Sequence, residues 1–289
     1  MQEAFNELGW LLPTILLLLG LCVGSFLNVV IYRLPLMLET SWRRDCCELL
    51  EIEGEKEDAL LTLAAPNSHC PHCKAPIQPQ HNIPVLSYLA LRGKCANCAA
   101  PISLRYPAIE LATGLMSLLL MWYFAPDWSL LGALLFTWAL IALTMIDFDQ
   151  KLLPDNITLP LLWLGLLLNI SGTYTDLSSA VIGAVAGYGI LWSIYWLFKL
   201  VTGKEGMGYG DFKLLAALGA WMGWQALHMI ILMSSVVGIV VFLVLMVFKQ
   251  QNRDTPIPFG PFLAAAGWIT FLWGDTLLVH LPFLNVWTY

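Results

Sequence analysis

The chain has 289 residues, of which 58% are hydrophobic and only 12% charged, against roughly a quarter charged in soluble domains. That much apolar surface excludes a soluble fold and sends most of the chain into lipid. The net charge of −6 says little about partners, because an acidic stretch at Glu48 to Asp58 supplies much of it, and no Lys- or Arg-rich run offers the electrostatic footprint of nucleic-acid binding.

In chain order, the first element is the apolar run Trp10 to Tyr32. It is too long for the h-region of a cleavable signal, and the residues before it include Glu3 and Glu7 but no Lys or Arg, so it is expected to stay as an anchor. A polar segment, 33–105, follows. Further apolar runs then predict spans near 107–125, 128–146, 157–173, 179–201, 212–225, 226–248 and 260–281. The run 157–173 contains Pro160. The run 212–225 would reach only about 21 Å as a helix, against a hydrocarbon core about 30 Å thick.

Charge decides whether these short runs span. With eight spans and the N-terminus outside, the inside segments are 33–105, 147–156, 199–213 and 249–259. They hold eight, one, three and two basic residues, which is every one of the 14 Lys and Arg. The positive-inside rule therefore favours eight spans with both termini outside. The expected fold is an all-α polytopic membrane protein of about eight transmembrane helices, with a cytoplasmic zinc-binding insert between helices 1 and 2. Its parts are an N-terminal helix, 1–32, a cytoplasmic segment, 33–105, and a seven-helix membrane domain, 106–289. Within the insert, the charged stretch 39–60 suits a helix. Residues 66–103, rich in Pro, Cys, Asn and Gly, read as loops held by something other than a hydrophobic core. No internal repeat stands out.

Cysteines supply that something. Cys70-Pro71-His72-Cys73 and Cys95-Ala96-Asn97-Cys98 are two C-x-x-C knuckles with 21 residues between them. Such a pair offers four thiolates to one tetrahedral metal, for which zinc is the usual occupant. Disulfides are disfavoured in a segment expected to face the reducing cytoplasm. His69 and His72 stand beside the knuckles, but four thiolates already fill the shell, so the metal is expected to be structural. Cys22, Cys46 and Cys47 have no such spacing.

Carboxylates mark the chemistry. One apolar run stops at Ile146-Asp147-Phe148-Asp149, Leu153-Pro154-Asp155 follows, and Gly206-Met207-Gly208-Tyr209-Gly210-Asp211 leads directly into another run. All lie on the expected cytoplasmic side. Carboxylates beside hydrocarbon are costly, and two sharing a site do not both ionise readily. One acid and one base are what water needs to attack an amide. The glycines, lacking Cβ, let backbone approach backbone or an extended peptide. Taken singly, each aspartate also suits an interfacial or capping role; Asp155 ahead of a helix fits a cap. Glu110, just inside the second span, suits a structural pairing with Arg105 or recognition of a positive group on substrate. Asn28 suits an interhelical hydrogen bond or capture of a backbone amide.

These residues carry a resemblance. Gly24-Ser25-Phe26-Leu27-Asn28, the two cysteine pairs, Asp147 with Leu153-Pro154-Asp155, and Gly208-Tyr209-Gly210-Asp211 resemble the type IV prepilin peptidase family over nearly the whole chain. The resemblance implies a bifunctional enzyme of the bacterial inner membrane and makes 106–289 an aspartic protease domain. Such enzymes cut the short basic leader of prepilins and pseudopilins after a glycine on the cytoplasmic side. They then methylate the new N-terminal residue with S-adenosyl-L-methionine. It implies Asp147 and Asp211 as the catalytic pair, with Asp149 the competitor for the first role, and Cys70, Cys73, Cys95 and Cys98 as metal ligands. The methyl donor's site is not visible; the stretch Arg92-Gly93-Lys94 is a candidate. Two other functions fit parts of the sequence. A proton-coupled transporter would use the aspartates, but both map to one face and not to the midplane. A zinc-bearing membrane scaffold would leave the Gly-rich approach to Asp211 without a purpose.

Overall fold

The computed structural model describes residues 9–52, 61–249 and 258–280. Among these the chain is helical, with only two isolated β-bridges, His69 with Pro76 and Lys94 with Pro101. It divides into two compact units, Met1–Pro126 and Asp127–Tyr289.

In the first unit, helix α1 spans Leu11–Leu49. The predicted break after Tyr32 is absent: the apolar run and the charged stretch as far as Leu49 form one helix that passes through Pro35, while 53–60 of the expected helical stretch lie outside the described residues. Arg33 does not end the helix because its guanidinium is buried and satisfied, donating to the Thr62 carbonyl (2.9 Å) and the Pro66 carbonyl (2.6 Å). A short helix, α2 (Leu86–Ala90), precedes α3 (Arg105–Leu120). Helices α1 and α3 pack along small residues. A Cβ on Gly24 would lie 2.7 Å from the Glu110 Cα, and one on Gly20 would lie 2.8 Å from the Gly114 Cα, the close approach that small-residue seams allow. Asn28 makes the interhelical bond, its Nδ2 donating to the Tyr106 carbonyl at 3.2 Å. Glu110 has a structural use too, accepting from the Val85 amide at 2.8 Å.

The second unit holds α4 (Trp128–Gln150), α5 (Asp155–Asn169), α6 (Leu177–Thr202), α7 (Tyr209–Met222), α8 (Leu227–Lys249) and α9 (Gly260–His280). Its centre is α7, every residue of which from Leu214 to Trp221 is buried, packed against α5, α6 and α9. A helix apolar on all sides belongs in an interior. Enclosed by protein, α7 needs only its 14 residues, well short of the roughly 20 that lipid demands. Gly183 on α6 meets Gly219 on α7 backbone to backbone; an added Cβ on either would fall within 2.4 Å of the other's carbonyl oxygen. At the far end of α7, the buried Asn169 donates to the Ala220 and Trp221 carbonyls (2.9 and 3.1 Å) and accepts from the Tyr174 and Thr175 amides (3.0 and 3.2 Å). It thereby ties the last turn of α7 to the loop that leads into α6.

Each of the eight predicted apolar runs is helical. Among the described residues, Leu11–Leu49, Trp128–Gln150, Leu177–Thr202 and Trp224–Val247 are long and apolar enough to cross a bilayer. The chain is a multi-pass helical membrane protein.

Candidate active site

The ends of five elements meet in the second unit. Asp155 on α5 bonds Lys213 on α7, and further along Leu161 on α5 accepts from the Trp221 indole on α7, so α5 and α7 run parallel. Leu153 touches the positions of both Gly210 and Gly260, while Gly267 faces Leu218, so α9 runs parallel to α7 as well. Three helix N-termini therefore share one end with the C-terminus of α4, and the positive ends of three helix dipoles gather there.

Asp147 lies in the last turn of α4. The helix stops because Lys151 adopts a left-handed conformation (φ 54°) and returns its N–H to the Asp147 carbonyl at 2.9 Å. The chain then reverses through Leu153-Pro154 into α5. The Asp147 side chain is only 5% exposed, and its Oδ2 is buried without a hydrogen-bond partner. Asp211, in the first turn of α7, is 7% exposed, and the two carboxyls are close enough to interact electrostatically. Asp149, two residues on from Asp147 and so on the other side of the helix, is exposed.

The glycines before Asp211 do different jobs. A Cβ on Gly210 would lie 2.8 Å from the Leu153 Cβ, whereas one on Gly208 would meet nothing within 4 Å. Gly210 is thus a seat for the α4–α5 loop, and Gly208 borders open space. The segment before them is strapped back onto α6: Lys199 Nζ reaches Glu205 (2.8 Å) and the Tyr195 hydroxyl (3.2 Å), and Gly206 lies against the Phe198 ring.

Asp155 does not cap α5. It is the first residue inside that helix, and both its oxygens accept from Lys213 Nζ at 2.7 Å. The pair ties the α5 and α7 N-termini together beside the aspartates. Both side chains are partly exposed, so Asp155→Asn and Lys213→Met are each expected to lose about 1 kcal/mol or less. The double variant should lose less than the sum. Thermal unfolding of the two singles and the double in detergent measures this; strictly additive losses would show that the pair is uncoupled.

In the first unit, Cys70, Cys73, Cys95 and Cys98 converge, their Sγ atoms all within 4.8 Å of one another. The Cys70 and Cys98 sulfurs stand 3.8 Å apart, which is about the edge of a tetrahedron with metal–sulfur bonds near 2.3 Å. The donor set fits one metal ion. The Asn97 amide, bonded to the Cys73 sulfur at 3.5 Å, holds that thiol down to about 6. At Cys98 the Ala100 amide acts in the lowering sense, yet burial and the Cys73, Cys95 and Cys70 thiols together push it up to about 11.

The knuckles also reveal a repeat. Cys70-Pro71-His72-Cys73-Lys74-Ala75-Pro76-Ile77 and Cys95-Ala96-Asn97-Cys98-Ala99-Ala100-Pro101-Ile102 have matching bonds: Cys70 N to Ala75 O and Cys95 N to Ala100 O, Lys74 N to Cys70 O and Ala99 N to Cys95 O, Ile77 N to Ser68 O and Ile102 N to Gly93 O. Lys74 and Ala99 both take positive φ (59° and 55°). The shared C-x-x-C-x-A-P-I pattern was the available signal. Of the stretch Arg92-Gly93-Lys94, Gly93 serves the turn: its φ is +70°, and an added Cβ would lie 2.8 Å from the Tyr88 hydroxyl.

The second unit thus buries an aspartate pair at one end of a helical membrane bundle, and the first holds a four-cysteine cluster that could bind a metal ion. Residues 18–124 match the bacterial peptidase A24 N-terminal domain, and residues 134–243 match the type IV leader peptidase family. Similar proteins named prepilin leader peptidase/N-methyltransferase occur in Aeromonas hydrophila (54% identical over 276 residues, 95% of each chain) and in Stutzerimonas stutzeri (55% over 274 residues, 95% of this chain and 94% of that one). Another, from Pseudomonas aeruginosa, is 54% identical over 274 residues, again 95% of this chain and 94% of that one. The chain belongs to the type IV leader peptidase family. No solved structure matches it.

Reading the sequence alone missed Lys213 and Gly260 at this end of the bundle. Lys213 was legible as a cation two residues past Asp211, and Gly260 as the centre of Pro258-Phe259-Gly260-Pro261, a turn placed directly before the last span.

Proposed function

We propose that this chain is a bifunctional processing enzyme. It cuts the short basic leader of type IV prepilins and pseudopilins after a glycine, then methylates the new N-terminal residue with S-adenosyl-L-methionine. The observation that carries the proteolytic half is the burial of Asp147 and Asp211 together at one end of the bundle, in a family whose relatives carry both activities in their names.

The chemistry follows from two carboxyls holding one proton. A water bound between them gives a proton to the carboxylate as its oxygen attacks the scissile carbonyl carbon, while the protonated partner donates to the carbonyl oxygen. The tetrahedral intermediate collapses when the first carboxyl passes its new proton to the leaving nitrogen, and the second recovers its proton from the oxygen. Burial excludes competing water and strengthens each of these contacts. The open face beside Gly208 suits an extended peptide laid across the aspartates.

The remaining assignments belong to the same reading. The chain crosses the bacterial inner membrane eight times. Residues 33–105 and the aspartates face the cytoplasm, and both termini lie outside, which the position of all 14 basic residues supports. The helices α3, α5 and α7 are then short spans, of which α7 is enclosed by its neighbours. Residues 1–32 act as the anchor, 33–105 as the zinc-binding segment and 106–289 as the protease domain. Zinc is the metal for Cys70, Cys73, Cys95 and Cys98. It fixes the loop 66–103 in shape, and no step of hydrolysis passes through it. The methyl donor binds the polar segment.

Purified protein in detergent, given a prepilin-like peptide, is expected to release the leader after glycine and to transfer a labelled methyl group to the new N-terminus. Absence of cleavage by folded protein would overturn the reading. Reporter fusions at Trp42 and Asn97 that proved to lie outside the cytoplasm would overturn the topology alone.

A further inference from the structure

Gly260 opens α9 at a place where a side chain would run into the Asp147 carboxyl. A Cβ built there would lie 2.6 Å from Asp147 Oδ2 and 3.1 Å from Leu153 Cδ1. The first distance is shorter than real Cβ atoms adopt, and the atom it meets belongs to a carboxyl whose Oδ2 is already buried and unpartnered. The other wall, Leu153, is buried too and is seated on Gly210, next to Asp211. Gly260, Leu153 and Gly210 thus form one chain of contacts running from the first aspartate to the residue beside the second.

Its place at a helix start adds a second effect. Asp147 sits in the last turn of α4, where its own helix presents the negative end of its dipole. What it faces across the contact is the opposite pole, the first turn of α9, whose Gly260 backbone is near enough to act on the carboxyl. No bond of good geometry reaches Oδ2, so that oxygen keeps a free acceptor position. An acceptor left empty in an interior is costly unless something occupies it in the working state, and the attacking water of the proposed reaction is such an occupant.

We infer that Gly260 is a positioning residue for proteolysis: its missing side chain lets the α9 N-terminus seat Asp147 Oδ2 against Leu153, with one acceptor position kept open toward the Asp211 side. The inference rests on the proposed aspartic mechanism. A Cβ at this position meets the end of the Asp147 side chain, with Leu153 beside it, so the carboxyl is the group that gives way. A methyl at Gly260 moves the carboxyl and leaves the rest of the bundle in place. Misplacement of a reacting group by about 1 Å costs on the order of 10²-fold in rate.

The test compares wild type, Asp147→Asn, Gly260→Ala, Leu153→Ala and the double variant Leu153→Ala/Gly260→Ala, each purified in detergent, on cleavage of a prepilin-like peptide. Cleavage by wild type and its loss in Asp147→Asn establish the mechanism on which the inference stands; failure there sinks that reading first. Given both, Gly260→Ala is expected to lose about 10²-fold in kcat with KM changed by no more than about threefold. Removing Leu153 frees the second wall, so the double variant should recover at least about tenfold over Gly260→Ala, although Leu153→Ala alone is slower than wild type. A role in stability alone predicts the reverse, since deleting a buried leucine destabilises further. Near wild-type kcat in Gly260→Ala would overturn the inference. So would a folded double variant no faster than Gly260→Ala, or, should Gly260→Ala itself fail to fold, a folded double variant more than about tenfold slower than wild type.

Discussion

Asparagine at Asp147 or at Asp211 is expected to abolish leader cleavage while the protein still inserts and folds. Both side chains are buried, and asparagine nearly matches aspartate in volume, so neither change opens a cavity. What it removes is the ability to exchange a proton. General acid–base steps are worth roughly 10²–10⁴-fold, and losing one partner also removes the activation of the attacking water, so the fall in kcat should reach at least that range. Asp149→Asn should retain most activity because Asp149 is exposed on the other side of α4, and Asp155→Asn should lose only its tie to Lys213. Steady-state cleavage of a prepilin-like peptide by the four variants decides. A dead Asp149 variant beside an active Asp147 variant would reassign the first partner. Near wild-type rates in both Asp147→Asn and Asp211→Asn would end the aspartic mechanism.

The second large effect concerns the metal. Cys70→Ser combined with Cys98→Ser removes two of the four thiols that lie within 4.8 Å of one another, and the purified protein should then contain no stoichiometric zinc. Structural zinc in small fingers is worth about 10–16 kcal/mol of apparent binding energy near neutral pH, and residues 66–103 have no core to replace it. Limited proteolysis within that segment should accelerate by orders of magnitude. Methyl transfer should fall with it, while cleavage stays within about tenfold of wild type. The metal must also displace protons, because the Cys98 thiol stands near 11 without it, so binding weakens as the pH falls. Complete loss of cleavage in a metal-free variant that is otherwise well folded would contradict this division of labour.

The sequence was most readable where one residue type carries the signal. Four cysteines at fixed spacing announced their own meeting, and the eight apolar runs each became a helix. Arg33 misled because charge was taken as the end of a helix; two backbone carbonyls 29 and 33 residues further on neutralise that cost, and no local pattern contains them. Asp155 looked like a cap by position, and its partner Lys213 lies 58 residues away. Asn169 gave no signal at all, since two of its four bonds depend on where α7 ends, 51 and 52 residues away. Gly260 is the same kind of case. A glycine's reason is the atom that would occupy its missing side chain, and here that atom belongs to another helix.

The duplication of the two knuckles bears on how firmly the metal is held. Each half brings two thiolates on a rigid, self-bonded turn, so the second half binds at a local concentration set by the 21 residues between Cys73 and Cys95. Closure entropy grows only logarithmically with such a tether; doubling its length would cost about 0.6 kcal/mol, or about threefold in affinity. Metal retention therefore depends on the turns and hardly at all on the span that joins them. That span, which contains α2 and the Val85 amide held by Glu110, can change in length and sequence without loosening the ion.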